Sequence, residues 1–130
     1  MNLKQTRLVT NDLQRLMRFY EGVTGAAATP VTGTYVEFRH AACDGLAIAD
    51  IAALHAYDGE NIADAAKNRS TILDFEVDDV DAEYDRLRGQ VGDWVQLPKT
   101  MPWGNRAMLF RDPDGNLVNI FASIPQTADA

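Results

Sequence analysis

Asp74 and Glu76 stand two residues apart in an alternating segment, Ile72-Leu73-Asp74-Phe75-Glu76-Val77. Strand alternation sends them to one face with Ile72, and sends Leu73, Phe75 and Val77 to the other. Two carboxylates on one strand face can hold a cationic ligand, pair with a basic side chain, or serve as a positioned base if buried. The other reactive residue types signal less. Cys43 lies beside Ala41, Ala42 and Gly45 with no neighbouring base, the setting of an inert structural thiol. His40 and His55 fit no standard zinc spacing and read as surface residues. Asp78, Asp79, Asp81, Glu83 and Asp85 crowd the start of a helical pattern. Carboxylates favour that positive helix end, and a calcium loop needs a different spacing. No Ser-His-Asp set, Cys-His pair or glycine-rich phosphate loop is visible. No catalytic residue and no cofactor is therefore assigned.

Bulk properties narrow the partners. The 130 residues suffice for one domain with a core. With 12 Lys plus Arg against 19 Asp plus Glu the net charge is −7. Nucleic acids and anionic membranes need a basic surface, so neither is expected as a partner. A negative field suits a cationic small molecule. The single cysteine forbids an intrachain disulfide and points to a reducing compartment. No apolar run approaches the ~18 residues of a membrane span. Met1 to Arg7 has no signal-peptide core, so a cytoplasmic location is expected.

The elements that must position Asp74 and Glu76 come in two copies. Leu8–Leu13 and Phe75–Val80 superpose when Asp12 is aligned with Asp79, each leading from a strand into a helix. In the first helix Leu13, Leu16, Met17, Tyr20 and Val23 share a face, with Gly25 as its stop. In the second, Val80, Tyr84 and Leu87 make the apolar stripe, with Gly89 as its end. Strand material follows each helix: Ala26–Val31, Thr34–Arg39 and Leu46–Ile51, then Trp94–Leu97, Arg106–Arg111 and Leu117–Ala122. Each half reads βαβββ. The polar, alanine-rich stretch 57–69 reads as a connector, with Asn61 to Lys67 compatible with helix, and Gln126–Ala130 reads as a frayed tail. The last two strands flank Asp112-Pro113-Asp114-Gly115-Asn116, whose residue types set turn geometry, so they form a hairpin.

An ordered set carries a family resemblance. It comprises Asp12-Leu13, Phe19-Tyr20 and Gly25, then Val77-Asp78-Asp79-Val80, then the hairpin with Trp103-Gly104, Arg106 and Asp112 to Asn116. Together these resemble the glyoxalase/bleomycin-resistance/extradiol-dioxygenase superfamily over almost the whole chain. The resemblance implies an α+β fold in which two βαβββ modules, about 1–56 and 70–125, form an open barrel-like cavity. It also implies a homodimer with cavities at the interface, because short members of the family dimerise.

The resemblance implies metal positions that can be read residue by residue. Family enzymes take His or Gln from the first strand of each half and Glu from the last. Counting back from the helix-opening aspartates, the first-strand positions are Gln5 and Ile72. The last-strand position after the turn is Asn119, and Leu46–Ile51 offers Asp50 near the corresponding place. A hydrocarbon at position 72 has no lone pair, and a neutral amide is a poor transition-metal ligand. No metal is expected. The family's metal-free members sequester hydrophobic or cationic antibiotics, and Pro102-Trp103-Gly104 followed by Arg106 is most similar to the bleomycin-resistance branch.

Alternation and the resemblance together give a candidate ligand-binding set: Gln5, Arg7, Phe38, Ile72, Asp74, Glu76, Trp103, Arg106, Met108, Phe110 and Asn119. The third strand offers Tyr35 and Glu37 or, in the other phase, Val36 and Phe38. The set fits a small organic ligand held without turnover, in the form of antibiotic or toxic-metabolite sequestration. Two other readings stay open. One is a glyoxalase-like lyase or isomerase with an atypical metal site from Gln5, Asp50 and Glu37 or Glu76. The other is an interaction module with a vestigial cavity.

Overall fold

A computed structural model describes residues 1–123. The chain divides into two compact units. The first holds residues 1–68 with 113–115, and the second holds 69–112 with the strand that follows Gly115. No helix among the described residues is long and apolar enough to cross a membrane.

In the first unit β1 (Thr6–Thr10) leads into α1 (Leu13–Thr24), followed by β2 (Thr29–Thr32), β3 (Tyr35–Phe38) and β4 (Leu46–Asp50). Their sheet order is β1-β4-β3-β2, with β1 parallel to β4 and the rest antiparallel. The helix starts where Asp12 accepts the Arg15 backbone N–H at 3.1 Å. It stops at Gly25, whose φ of 72° few other residues adopt, with its N–H on the Glu21 carbonyl at 2.9 Å. Leu13, Leu16, Tyr20 and Val23 turn inward, as their spacing requires. Tyr20, Phe38, Leu16 and Ile48 are the largest fully buried side chains here.

The second unit repeats the scheme: β5 (Ile72–Glu76), α2 (Val80–Leu87), β6 (Trp94–Thr100), β7 (Arg106–Arg111) and β8 (Leu117–Ala122), in sheet order β5-β8-β7-β6. Asp79 caps α2 by accepting from Ala82 N–H at 3.1 Å. Tyr84 on α2 meets Trp94 edge-on at 5.1 Å, and Trp94 meets Phe110 at 5.4 Å. Phe110, Leu87, Met108, Val80 and Val118 are its largest fully buried side chains. The β7–β8 turn satisfies itself, since Asp112 accepts both the backbone and side-chain N–H of Asn116, at 2.9 and 2.8 Å. The architecture is thus α+β, two βαβββ modules each built on an open four-stranded sheet.

Two local expectations change. The stretch 61–67 is not helical, for Asn61 and Ala66 take positive φ of 52° and 58°. A 3-10 turn forms earlier instead, at Ile51–Ala56. Asp50 caps that turn by accepting from Ala52 N–H at 2.9 Å, which takes its carboxylate out of the role of a sheet-face ligand.

Candidate functional site

Each sheet packs one face under its helix and turns the other away. Strand register says which residues share the second face. In the first unit Arg7, Ala47 and Glu37 form one row across β1, β4 and β3, and Val9, Ala49 and Tyr35 form another. The alternate residues Leu8, Val36, Ile48 and Phe38 are buried on the α1 side. Of the two phases open for β3, register therefore selects Tyr35 and Glu37. Phe38, at 1% exposure, is core and leaves the candidate set.

A directional chain of hydrogen bonds runs along this face. Gln5 Nε2 donates to the Tyr35 hydroxyl at 2.7 Å, and that hydroxyl donates to Glu37 Oε2 at 2.5 Å. Arg39 closes the chain on Glu37 Oε1, with its Nη2 at 2.9 Å. Tyr35's hydrogen bond first, then Arg39's, holds the Glu37 carboxyl below the usual glutamate range. Burial first, then the bond to Glu37, pushes the Tyr35 hydroxyl above the usual phenol range. Arg7 points both terminal nitrogens at the Tyr57 hydroxyl, each at 3.2 Å, with its guanidinium carbon 5.6 Å from the ring centre. Tyr57 carries no local sequence signal, because the contact spans fifty residues.

In the second unit register builds a grid on the open face. Ile72, Leu117 and Arg111 form one row. Asp74, Asn119 and Leu109 form the next, and Glu76, Phe121 and Ala107 the third. Asn119 Nδ2 donates to Asp74 Oδ1 at 3.0 Å, and Asn119 Oδ1 is buried with no partner among the described residues. Glu76 accepts from the Ser123 hydroxyl. Ile72 is 51% exposed, and Asp74 and Glu76 are exposed with it.

The structure therefore groups Ile72, Asp74, Glu76 and Asn119 on one sheet, and places Arg7 on the other with Gln5 just before its first strand. Arg106, Met108 and Phe110 share a face with one another, as alternation requires, but it is the α2 face. Met108 and Phe110 are fully buried. Arg106 grips Asp81 of α2 with Nε at 2.6 Å and Nη2 at 2.8 Å. Met108 and Phe110 are core and leave the candidate set, and Arg106 stands on the same face in an exposed ion pair. Trp103, between β6 and β7, is 65% exposed and packs little. Cys43 is buried, and that burial raises its thiol's pKa, as for an inert cysteine. A recess of about 80 Å³ lined by Ile51, Leu54, His55, Gly59 and Ile62 is smaller than the several hundred Å³ of ordinary ligand pockets.

The register also tests a metal. Arg7 and Asp74 each lie five residues before a helix-capping aspartate, and their lateral partners are Ala47 and Asn119. Ala47 is thus the first-sheet counterpart of Asn119, in place of Asp50. Positions 5, 47, 72 and 119 hold Gln, Ala, Ile and Asn. Two hydrocarbons without a lone pair and two neutral amides do not fit a transition-metal site.

Comparison with known proteins agrees with this architecture. A family model for the Glyoxalase/Bleomycin resistance protein/Dioxygenase superfamily matches residues 2–120. The uncharacterized protein YraH of Bacillus subtilis (strain 168) is 29% identical over 129 residues, covering 93% of this chain and 98% of its own. A protein of unknown function from Agrobacterium tumefaciens C58 superposes with a TM-score of 0.80 at 25% identity, covering 95% of each chain. A glyoxalase/bleomycin resistance protein/dioxygenase family enzyme from Burkholderia phytofirmans PsJN shares the fold, with a TM-score of 0.81 at 15% identity over 94% of this chain and 98% of that one. The chain belongs to the Glyoxalase/Bleomycin resistance protein/Dioxygenase superfamily.

Proposed function

We propose that this protein is a metal-free binder that captures a small organic molecule without converting it, sequestering an antibiotic or a toxic metabolite. The observation that carries the reading is the donor set Gln5, Ala47, Ile72 and Asn119, which keeps the family's sheet positions but replaces metal-binding side chains with hydrocarbon and amide. Each of the two sheet faces, taken by itself, offers apolar contact and hydrogen bonds rather than Lewis acidity. Ile72, Leu117, Leu109 and Phe121 supply the apolar part on the second sheet, with Asp74, Glu76 and Asn119 as polar points. Gln5 and Arg7 supply polar points on the first sheet, and exposed Trp103 supplies a ring for stacking on a flat ligand. In this reading the protein works as a cytoplasmic homodimer.

The test is a thermal-shift screen of the full chain against planar and amphipathic drugs, repeated with Trp103→Ala. A ligand at ~100 times its dissociation constant adds about 2.7 kcal/mol of stability. The expected hit stabilises the native chain and binds Trp103→Ala more weakly, while the unliganded melting temperature is unchanged. A flat response across the library contradicts the reading and leaves the interaction-module alternative.

A further inference from the structure

We propose that Tyr35, Glu37 and Arg39 are positioning residues that lock the Gln5 carboxamide with its carbonyl oxygen presented outward, so that the ligand group meeting the first sheet is a hydrogen-bond donor such as an aromatic N–H. This rests on the binding function proposed above and adds the chemistry of the group recognised. Proton counting fixes the polarity of the chain. A guanidinium only donates and a carboxylate only accepts. Arg39 therefore fixes Glu37 as an acceptor, and Glu37 claims the single proton of the Tyr35 hydroxyl at 2.5 Å. With that proton committed, the Tyr35 oxygen can only accept from Gln5, 2.7 Å away. The Gln5 atom facing Tyr35 must then be the nitrogen, and Oε1 must face the other way. No partner for Oε1 occurs among the described residues, and Gln5 is only half-buried, so the oxygen is open to an incoming donor. The depressed Glu37 pKa and raised Tyr35 pKa agree with this single polarity.

The polarity can be reversed by one atom. In Glu37→Gln the new amide can donate to Tyr35, whose proton is then released toward Gln5, and the Gln5 carboxamide turns its NH₂ outward. The experiment titrates the full ¹⁵N-labelled chain with three flat probes of similar shape: indole, which donates N–H; benzofuran, which donates nothing; and quinoline, which only accepts. The expected result on the native chain is indole binding about tenfold tighter than benzofuran or quinoline, with the Gln5 side-chain amide signal moving. Tyr35→Phe should erase the preference, and Glu37→Gln should turn it toward quinoline. Should Tyr35→Phe fail to fold, Glu37→Gln alone decides. Equal binding of the three probes to the native chain overturns the inference. So does an indole preference that survives Glu37→Gln, or one that leaves the Gln5 signal still. If none of the three binds while the drug screen yields a ligand, this inference falls and the binding function stands; if the screen is also flat, both fall.

Discussion

The two sheets are built to one plan and treat their polar groups differently. On the first, the carboxylate Glu37 is met by Tyr35 and neutralised by Arg39, and Arg7 rests on Tyr57. On the second, Asp74 and Glu76 meet only the neutral donors Asn119 and Ser123 among the described residues, and Asn119 keeps a buried carbonyl without a donor. The shared frame shows in Asp12 and Asp79, which cap their helices alike. It does not account for the contrast in charge. Both amides at the family's ligand positions are nevertheless turned the same way, nitrogen toward a carboxylate-anchored partner and oxygen away. A carboxylate two bonds distant does through Tyr35 what Asp74 does directly. Orienting a neutral group thus needs one accept-only anchor, and a metal is not required for it.

The contrast between packed and open faces carries the largest expected effect. Phe110→Ala removes a fully buried ring under α2 and should lower unfolding free energy by about 3–5 kcal/mol. Ile72→Ala on the open face of the same sheet should stay within about 0.5 kcal/mol, because the side chain is half in water. Urea titration reads both, and an Ile72→Ala cost near that of Phe110→Ala would mean the face is core.

The first sheet's charge chain predicts a smaller, pH-dependent effect. Glu37 has a depressed pKa in the folded state, so its contribution is present above the ordinary glutamate value of 4.5 and is lost as pH falls through the lower folded value. Native protein should therefore lose stability more steeply than Glu37→Gln as pH is lowered below that point. Parallel melting curves of the two proteins down the acid range would show no Glu37 anchor.

Much of this was legible in the chain, and the failures share a cause. Period-two alternation in Ile72–Glu76 separated Asp74 and Glu76 from Leu73 and Phe75 because one set is charged and the other apolar. In Arg106–Arg111 both phases contain large apolar residues, so the pattern shows which residues share a face but not which face. The larger pair, Met108 and Phe110, went under α2, and Arg106 followed them to reach Asp81. Phe38 failed for the same reason, since only the pairing of β3 with β4 separates Val36 and Phe38 from Tyr35 and Glu37. Ala47 stayed hidden because its role depends on lateral pairing with Arg7, and Asp50 drew notice as a carboxylate when its work is to cap a turn.

The binding function rests on Gln5, Ala47, Ile72 and Asn119 being unable to hold a catalytic metal. The direct test is equilibrium dialysis of the purified full chain, in turn, against zinc, nickel and ferrous iron, with metal content read by mass spectrometry. The account predicts no stoichiometric retention of any of the three. One tightly held equivalent per chain, lost on Asn119→Leu or Gln5→Leu, would contradict it and favour the reading with an atypical metal centre.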